Sequence, residues 1–217
     1  MMRFLLINPN TSEATTEQMT AIARAVVLAG VEVIGATARR GPPMILTTEE
    51  LGAAEAEVLE VAAARGVVDG IIIAAFGDPG IEALRQRAEV PVVGIAEASM
   101  LAAATGGRRF GIATTTPALV CSIARYTERL GIAAQYTGIR LTAGDPLTLV
   151  ADPKRLVEAL ADAARQSIEG DGAEAVIIGG GPLGGAAIAL ARRFATPIVA
   201  PIPAAVARLM RALAPAT

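Results

Sequence analysis

The sequence predicts an α/β protein of two pseudo-symmetric lobes, each a four-stranded parallel sheet flanked by helices, with a substrate cleft between them. Three observations predict it. Short β-branched runs alternate with Ala/Leu/Glu/Arg-rich segments of helical period. Those runs are apolar at nearly every position, which suits strands covered on both faces in a parallel sheet built by right-handed crossovers. The pattern also recurs at a fixed offset: Phe4 to Ile7 behind Arg3 matches Phe110 to Ala113 behind Arg109, 106 positions on. Asp69-Gly70-Ile71-Ile72-Ile73 is echoed by Glu174-Ala175-Val176-Ile177-Ile178 at 105, and Pro91-Val92-Val93 by Pro197-Ile198-Val199 at 106. Three matches in near-constant register indicate an internal duplication.

Taken in order, each half reads β-α-β-α-β-α-β. The strand Phe4 to Ile7 stops at Asn8-Pro9-Asn10, and Asn10 with Glu13 three positions on has capping-box spacing for the first helix. Ile34 to Leu46 reads as a long Gly/Pro-bearing loop before a helix over Glu49 to Arg65. The strand at 71–73 runs into Asp78-Pro79, a helix-start signal, and Val92 to Ile95 is the last strand of the half. In the second half Phe110 to Ala113 stops at Thr114-Thr115-Thr116, followed by Pro117; Ile139 to Leu149 is the equivalent loop, Pro153 to Ile168 the equivalent helix. Gly181-Pro182 marks another helix start, and Ala204 to Leu213 is a last helix expected to cross back onto the first lobe. The expected lobes are 1–97 plus 204–217, and 98–203.

With 217 residues, 53% of them hydrophobic, the chain can bury a substantial core. A formal charge of −2 with both signs mixed argues against a nucleic-acid footprint or a basic membrane-surface patch, so the expected partner is a small molecule. A single cysteine, Cys121, and no histidine exclude an intrachain disulfide framework and the usual zinc ligand sets, so no metal is expected. MMRFLLINPN holds too short an apolar run for a signal peptide, and Asp69 and Asp78 bracket the most apolar stretch too closely for a bilayer span. A cytoplasmic protein follows, and its apolar composition favours self-association into a homo-oligomer.

Ligands of parallel α/β sheets bind outside the carboxyl ends of the strands, where helix N-termini present unpaired N–H groups. Four such ends are legible: Asn10, Asp78-Pro79, Thr116-Pro117 and Gly181-Pro182. The duplication pairs the first with the third and the second with the fourth. Facing lobes would gather Asn8, Asn10, Thr11, Phe76, Gly77, Asp78, Thr114, Thr115, Thr116, Gly180 and Gly181 around one ligand. Donors and positive helix ends without an obligatory cation suit a small carboxylate or an imide-like group. Singly, each of these polar residues reads as a helix cap; the repeated arrangement is what points to a ligand.

The elements INPNTS (7–12), AAFGDPG (74–80), GIATTTP (111–117) and IIGGGPL (177–183), in this order and spacing, resemble the aspartate/glutamate/hydantoin racemase family, and INPNTS and FGDPG resemble its hydantoin-racemase branch. The resemblance covers nearly the whole chain. It implies two lobes with a substrate between them and cofactor-independent inversion next to a carbonyl. It further implies two cysteines on opposite faces of the substrate, one removing the α-proton as thiolate and the other returning one. Such chemistry needs a lowered thiol pKa and donors aimed at the developing enolate oxygen. Carried over, the two cysteine positions fall on Ala75 and Gly180, which the internal repeat independently pairs.

Other groups are candidates for the missing base. Asp78 reads chiefly as a helix cap, stabilised as the anion and so a weak base. Glu97 has no acidic mate, its repeat equivalent being Pro203, and would serve as a lone general base. Cys121 reads as a small buried helix residue and Tyr126 as packing. The loop GPPMILT (41–47) departs from the family's pattern; Met44 and Ile45 make it more apolar and suggest a side group less polar than that of aspartate. Three functions stay open: α-carbon racemase or isomerase chemistry on an amino-acid derivative or cyclic ureide, modified by loss of both thiols; a non-catalytic carboxylate- or imide-binding protein; and a lyase or hydrolase using Asp78 or Glu97.

Overall fold

The computed structural model describes residues 1–214. Strand β1 (Met2–Asn8), helix α1 (Glu13–Arg24), β2 (Val31–Thr37), α2 (Thr48–Ala63), β3 (Gly70–Ile73), α3 (Ile81–Arg85) and β4 (Val92–Gly94) build the first sheet, of order β2-β1-β3-β4. Helix α4 (Ile95–Ala103) carries the chain onward. The second sheet, of order β6-β5-β7-β8, comes from β5 (Phe110–Thr114), α5 (Val120–Arg129), β6 (Tyr136–Leu141), α6 (Pro146–Ala151), α7 (Pro153–Asp171), β7 (Ala175–Ile178), α8 (Gly184–Ala191) and β8 (Ile198–Val199). Helix α9 (Pro201–Leu213) closes the chain. All pairings are parallel.

The duplication reaches individual hydrogen bonds. Arg3 N donates to the Asp69 carboxylate at 2.6 Å while Asp69 N donates back to Arg3 O at 2.8 Å. Arg109 and Glu174 repeat this exchange at 2.9 and 2.8 Å. Ile7 pairs with Ile73 and Ala113 with Ile178; the next N–H groups, Ala74 and Gly179, bond Ile7 O and Ala113 O. The ladders themselves therefore equate residue 75 with residue 180.

The chain divides into two compact units, Met1–Ala98 with Ile202–Thr217, and Ser99–Pro201. In the first, one core packs Phe4, Leu6, Ile72 and Val93 against Met19 of α1 and against Ile202, Val206 and Leu209 of α9; the other sheet face packs Leu5, Ile7 and Ile73 against Val58 of α2. In the second, Ala113, Val176 and Ile178 pack under Leu156 and Leu160 of α7 and Leu190 of α8. The C-terminal residues 215–217, assigned from sequence to the first lobe, lie outside the described residues. No helix among those described is long and apolar enough to cross a membrane.

Two loop expectations are corrected. Ile34 to Thr37 belongs to β2 and Ile139 to Leu141 to β6, and Pro146 to Leu149 begins α6, so the true connections are 38–47 and 142–145. Gly35 in one strand and Gly138 in the other hid the β pattern, and Asp145 caps α6 through Thr148 N. The cap of α1 is also not Asn10. Ser12 holds that position and accepts from Thr15 N, because the Asn10 amide oxygen is already engaged by Ser12 N and Asn8.

Candidate functional site

In the first unit the end of β1 is a closed polar knot. Asn8, fully buried, donates its amide to Asn10 Oδ1 (2.8 Å), Ser12 O (3.1 Å) and Thr16 Oγ1 (3.0 Å), and accepts from Asn10 N. Its role is to shape the strand end. Thr11 ties that end to the following loop through Pro42 O and Gly41 O. Asn10 is buried too, yet among the described residues its amide nitrogen makes no hydrogen bond.

The loop after β3 is held by Asp78. This residue sits at φ 50°, a left-handed conformation that Asp tolerates better than most side chains. Its carboxylate accepts from Ala96 N at 2.9 Å and Glu97 N at 2.7 Å, capping α4 rather than the helix that follows it. Gly94 makes this possible: a Cβ there would lie 2.0 Å from Asp78 Cγ. With Asp78 N bonded to Ala75 O, the loop is closed on itself, and among the described residues no hydrogen bond uses the N–H groups of Ala75, Phe76 or Gly77. Phe76 packs inward; Ala75 is half-exposed.

The second unit repeats the frame with other means. Thr114 Oγ1 donates to Gly179 O at 2.6 Å, bracing the end of β7. The hydroxyls of buried Thr115 and Thr116 share one long 3.5 Å contact. Among the described residues the N–H groups of Thr115, Thr116, Gly180 and Gly181 make no hydrogen bond. Gly180 has φ 151°, and a Cβ there would meet Leu183 at 3.0 Å, so the backbone suits glycine alone.

The arrangement is thus rich in unspent donors and poor in bases. Glu97, 5% exposed, gives one oxygen to Arg85 and the other to Arg208, both at 2.9 Å, so both its oxygens are committed to a structural ion pair. Asp78 has both oxygens committed in the same way. Cys121 is exposed on α5, not buried as expected, because its position falls on the solvent side of a short helix that buries Ile123, Tyr126 and Thr127. Met44 and Ile45 of the 41–47 loop are half-buried. Sequence reasoning missed Gly94 and the Arg85 and Arg208 partners of Glu97. The visible signal was that position 94 is Gly while its repeat partner, 200, is Ala.

Comparison with known proteins adds direct kinship. A family model described as Asp/Glu/Hydantoin racemase matches residues 4–209. A hydantoin racemase of Paenarthrobacter aurescens is 30% identical over 207 residues, covering 94% of this chain and 88% of the relative. The crystal structure of allantoin racemase from Pseudomonas fluorescens superposes with a TM-score of 0.92 at 30% identity, covering 97% of this chain and 90% of that one. Allantoin racemase from Klebsiella pneumoniae gives 0.91 at 33%, covering 97% and 87%.

Proposed function

The chain belongs to the Asp/Glu/hydantoin racemase family, and from that premise we propose that it acts at the α-carbon of a small cyclic ureide, a hydantoin- or allantoin-like ring. The kinship with hydantoin and allantoin racemases supports the ring class. The observation that carries the reading is the excess of unspent N–H donors over uncommitted carboxylates at the strand ends. A free amino acid brings an ammonium, which requires an acceptor; Asp78 and Glu97 are both spent. A ureide ring brings carbonyl oxygens, which match N–H groups that make no hydrogen bond among the described residues: those of residues 75–77 and the Asn10 amide in the first unit, and those of residues 115–116 and 180–181 in the second. The same donors stabilise an enolate, and the α-proton of such a ring is easier to remove because no carboxylate charge opposes the carbanion. Apolar Met44 and Ile45 favour an uncharged side group. Cytoplasmic residence and self-association belong to this reading, supported by the lone thiol and the apolar composition.

A second reading, recognition without turnover, is favoured by one observation: the positions assigned to the family's two thiols hold Ala75 and Gly180, neither of which titrates. Solvent-deuterium exchange separates the two. Incubation in D₂O with allantoin, 5-substituted hydantoins, N-carbamoyl amino acids, aspartate and glutamate should label the ring compounds at the α-position. Thermal stabilisation by the rings without label supports recognition alone. Labelling of aspartate or glutamate in preference to every ring would falsify the ureide assignment.

A further inference from the structure

The first unit carries a cavity of about 510 Å³ on the free edge of β4, at its amino-terminal side and away from the strand ends. Arg85 of α3 and Arg208 and Arg211 of α9 line it, with Val90, Pro91 and Ala212 as its apolar wall. Arg85 is fixed: Nε and Nη2 donate to Val92 O at 3.2 and 3.0 Å, and Nη2 also reaches Glu97. Among the described residues Arg208 spends only Nη2, on Glu97. Arg211 is exposed and, among the described residues, its guanidinium has no hydrogen bond or ion pair. The opposing carboxylates are buried Glu97 and exposed Glu82, the latter 3.8 Å from Arg85, so the cavity keeps a net positive charge. Arg208 and Arg211 stand three apart on one helix face, where side chains are neighbours.

We propose that this cavity binds a small organic phosphate monoester, its dianionic head held by the free guanidinium donors of Arg208 and Arg211 beside Arg85, and its apolar body against Val90, Pro91 and Ala212. Several guanidinium forks can share the three terminal oxygens and double charge of a phosphate monoester, whereas a carboxylate offers two oxygens and one charge. The volume lies within the range of small-molecule sites and exceeds what a bare inorganic ion fills. Prior anchoring of Arg85 and Arg208 lowers the ordering cost of binding. Nothing here depends on the ureide reading, since the cavity lies outside the strand-end loops.

Calorimetric titration of the full chain with phenyl phosphate, inorganic phosphate and benzoate at matched ionic strength tests the assignment. Phenyl phosphate should bind most tightly, and Arg211→Gln should weaken it about tenfold, the loss of a charge-assisted contact. Among the described residues Arg211 has no partner to lose, so this variant is expected to keep the parent melting temperature. Arg192→Gln, an exposed arginine of the other unit, should change affinity less than about twofold. Equal weakening by both substitutions, or no binding of phenyl phosphate, overturns the site; benzoate or inorganic phosphate binding as tightly as the ester overturns the ligand class.

Discussion

Helices α4 and α9 begin at equivalent places, Ile95 and Pro201, 106 residues apart, and their first N–H groups are dealt with in two different ways. Ahead of α4, the Asp78 carboxylate crosses over Gly94 to accept from Ala96 N and Glu97 N. At α9 the equivalents of Ala96 and Glu97 are Ile202 and Pro203, and the helix opens on Pro201, so two of the donors that would need a cap do not exist. The carboxylate's equivalent is then Leu183, and Gly94 is replaced by Ala200. Pro201, Pro203, Leu183 and Ala200, in place of Ile95, Glu97, Asp78 and Gly94, are explained by one requirement. The frame of strands is copied faithfully, while the loops at residues 75 and 180 are held by unrelated interactions, an ionic cap in one unit and a glycine backbone braced by Thr114 in the other.

Breaking the first arrangement should have the largest effect. Gly94→Ala places a Cβ where the Asp78 carboxylate lies, so the cap must move or be lost; a destabilisation of about 3–5 kcal/mol is expected from urea unfolding. Asp78→Asn sets an amide N–H₂ against a backbone donor and should cost about 2–3 kcal/mol. The double variant should cost hardly more than Gly94→Ala alone, because the same cap is lost once. Fully additive costs would show that Gly94 and Asp78 act separately and would remove the comparison just drawn.

The next test contrasts the two positions that the repeat pairs, Ala75 and Gly180. Ala75 already carries a Cβ and is half-exposed, so Ala75→Cys should leave stability within about 0.5 kcal/mol. Gly180→Cys forces a side chain into φ 151° against Leu183 and should cost about 1–3 kcal/mol. Function should diverge as well. On the proposed ureide reading, with residue 75 against the ring, a single thiol there removes and returns a proton on one face only, so Ala75→Cys should raise deuterium incorporation into one ring enantiomer well ahead of inversion. Inversion keeping pace with exchange would mean that a second base already works on the other face.

Much of this was legible in the sequence because it is periodic. The Arg3–Asp69 and Arg109–Glu174 exchanges, the β-branched runs and the 105–106 offset all repeat, and repetition survives in one dimension. What stayed hidden was the identity of partners distant in the chain. Asp78-Pro79 looks like a local helix start, yet its acceptors serve donors 18 and 19 residues away, across a chain reversal that residue types alone do not encode. Glu97 read as a free base because Arg208, 111 residues on, is invisible to any local pattern. Asn8 and Asn10 look alike in INPNTS, and only the fold distinguishes the amide consumed by the knot from the one left open.

A smaller contrast separates the units at their outer strands. Beyond β2, the Glu57 carboxylate of α2 accepts from Arg39 N, Arg40 N and Arg40 Nε, holding the start of the 38–47 loop; on β6, Asp171 at the end of α7 takes Arg140 itself, within the strand. The hydrogen bond from Arg40 holds the Glu57 pKa below the usual glutamate value, against the opposing effect of burial, and Arg140 does the same for Asp171. A carboxylate with a lowered folded-state pKa adds stability that is fully present above its unfolded value and fades as pH falls through the folded one. Melting temperatures of the parent and of Glu57→Gln should therefore differ at pH 7, by on the order of a few degrees, and converge as pH falls through the lowered folded-state pKa of Glu57. Because Glu57 holds a loop whereas Asp171 holds a strand, Glu57→Gln should also speed proteolytic nicking within 38–47, while Asp171→Asn should lower the melting temperature without exposing a new cleavage site. Faster nicking in both variants would mean that the two carboxylates do the same job, and that the units differ only in the loops at residues 75 and 180.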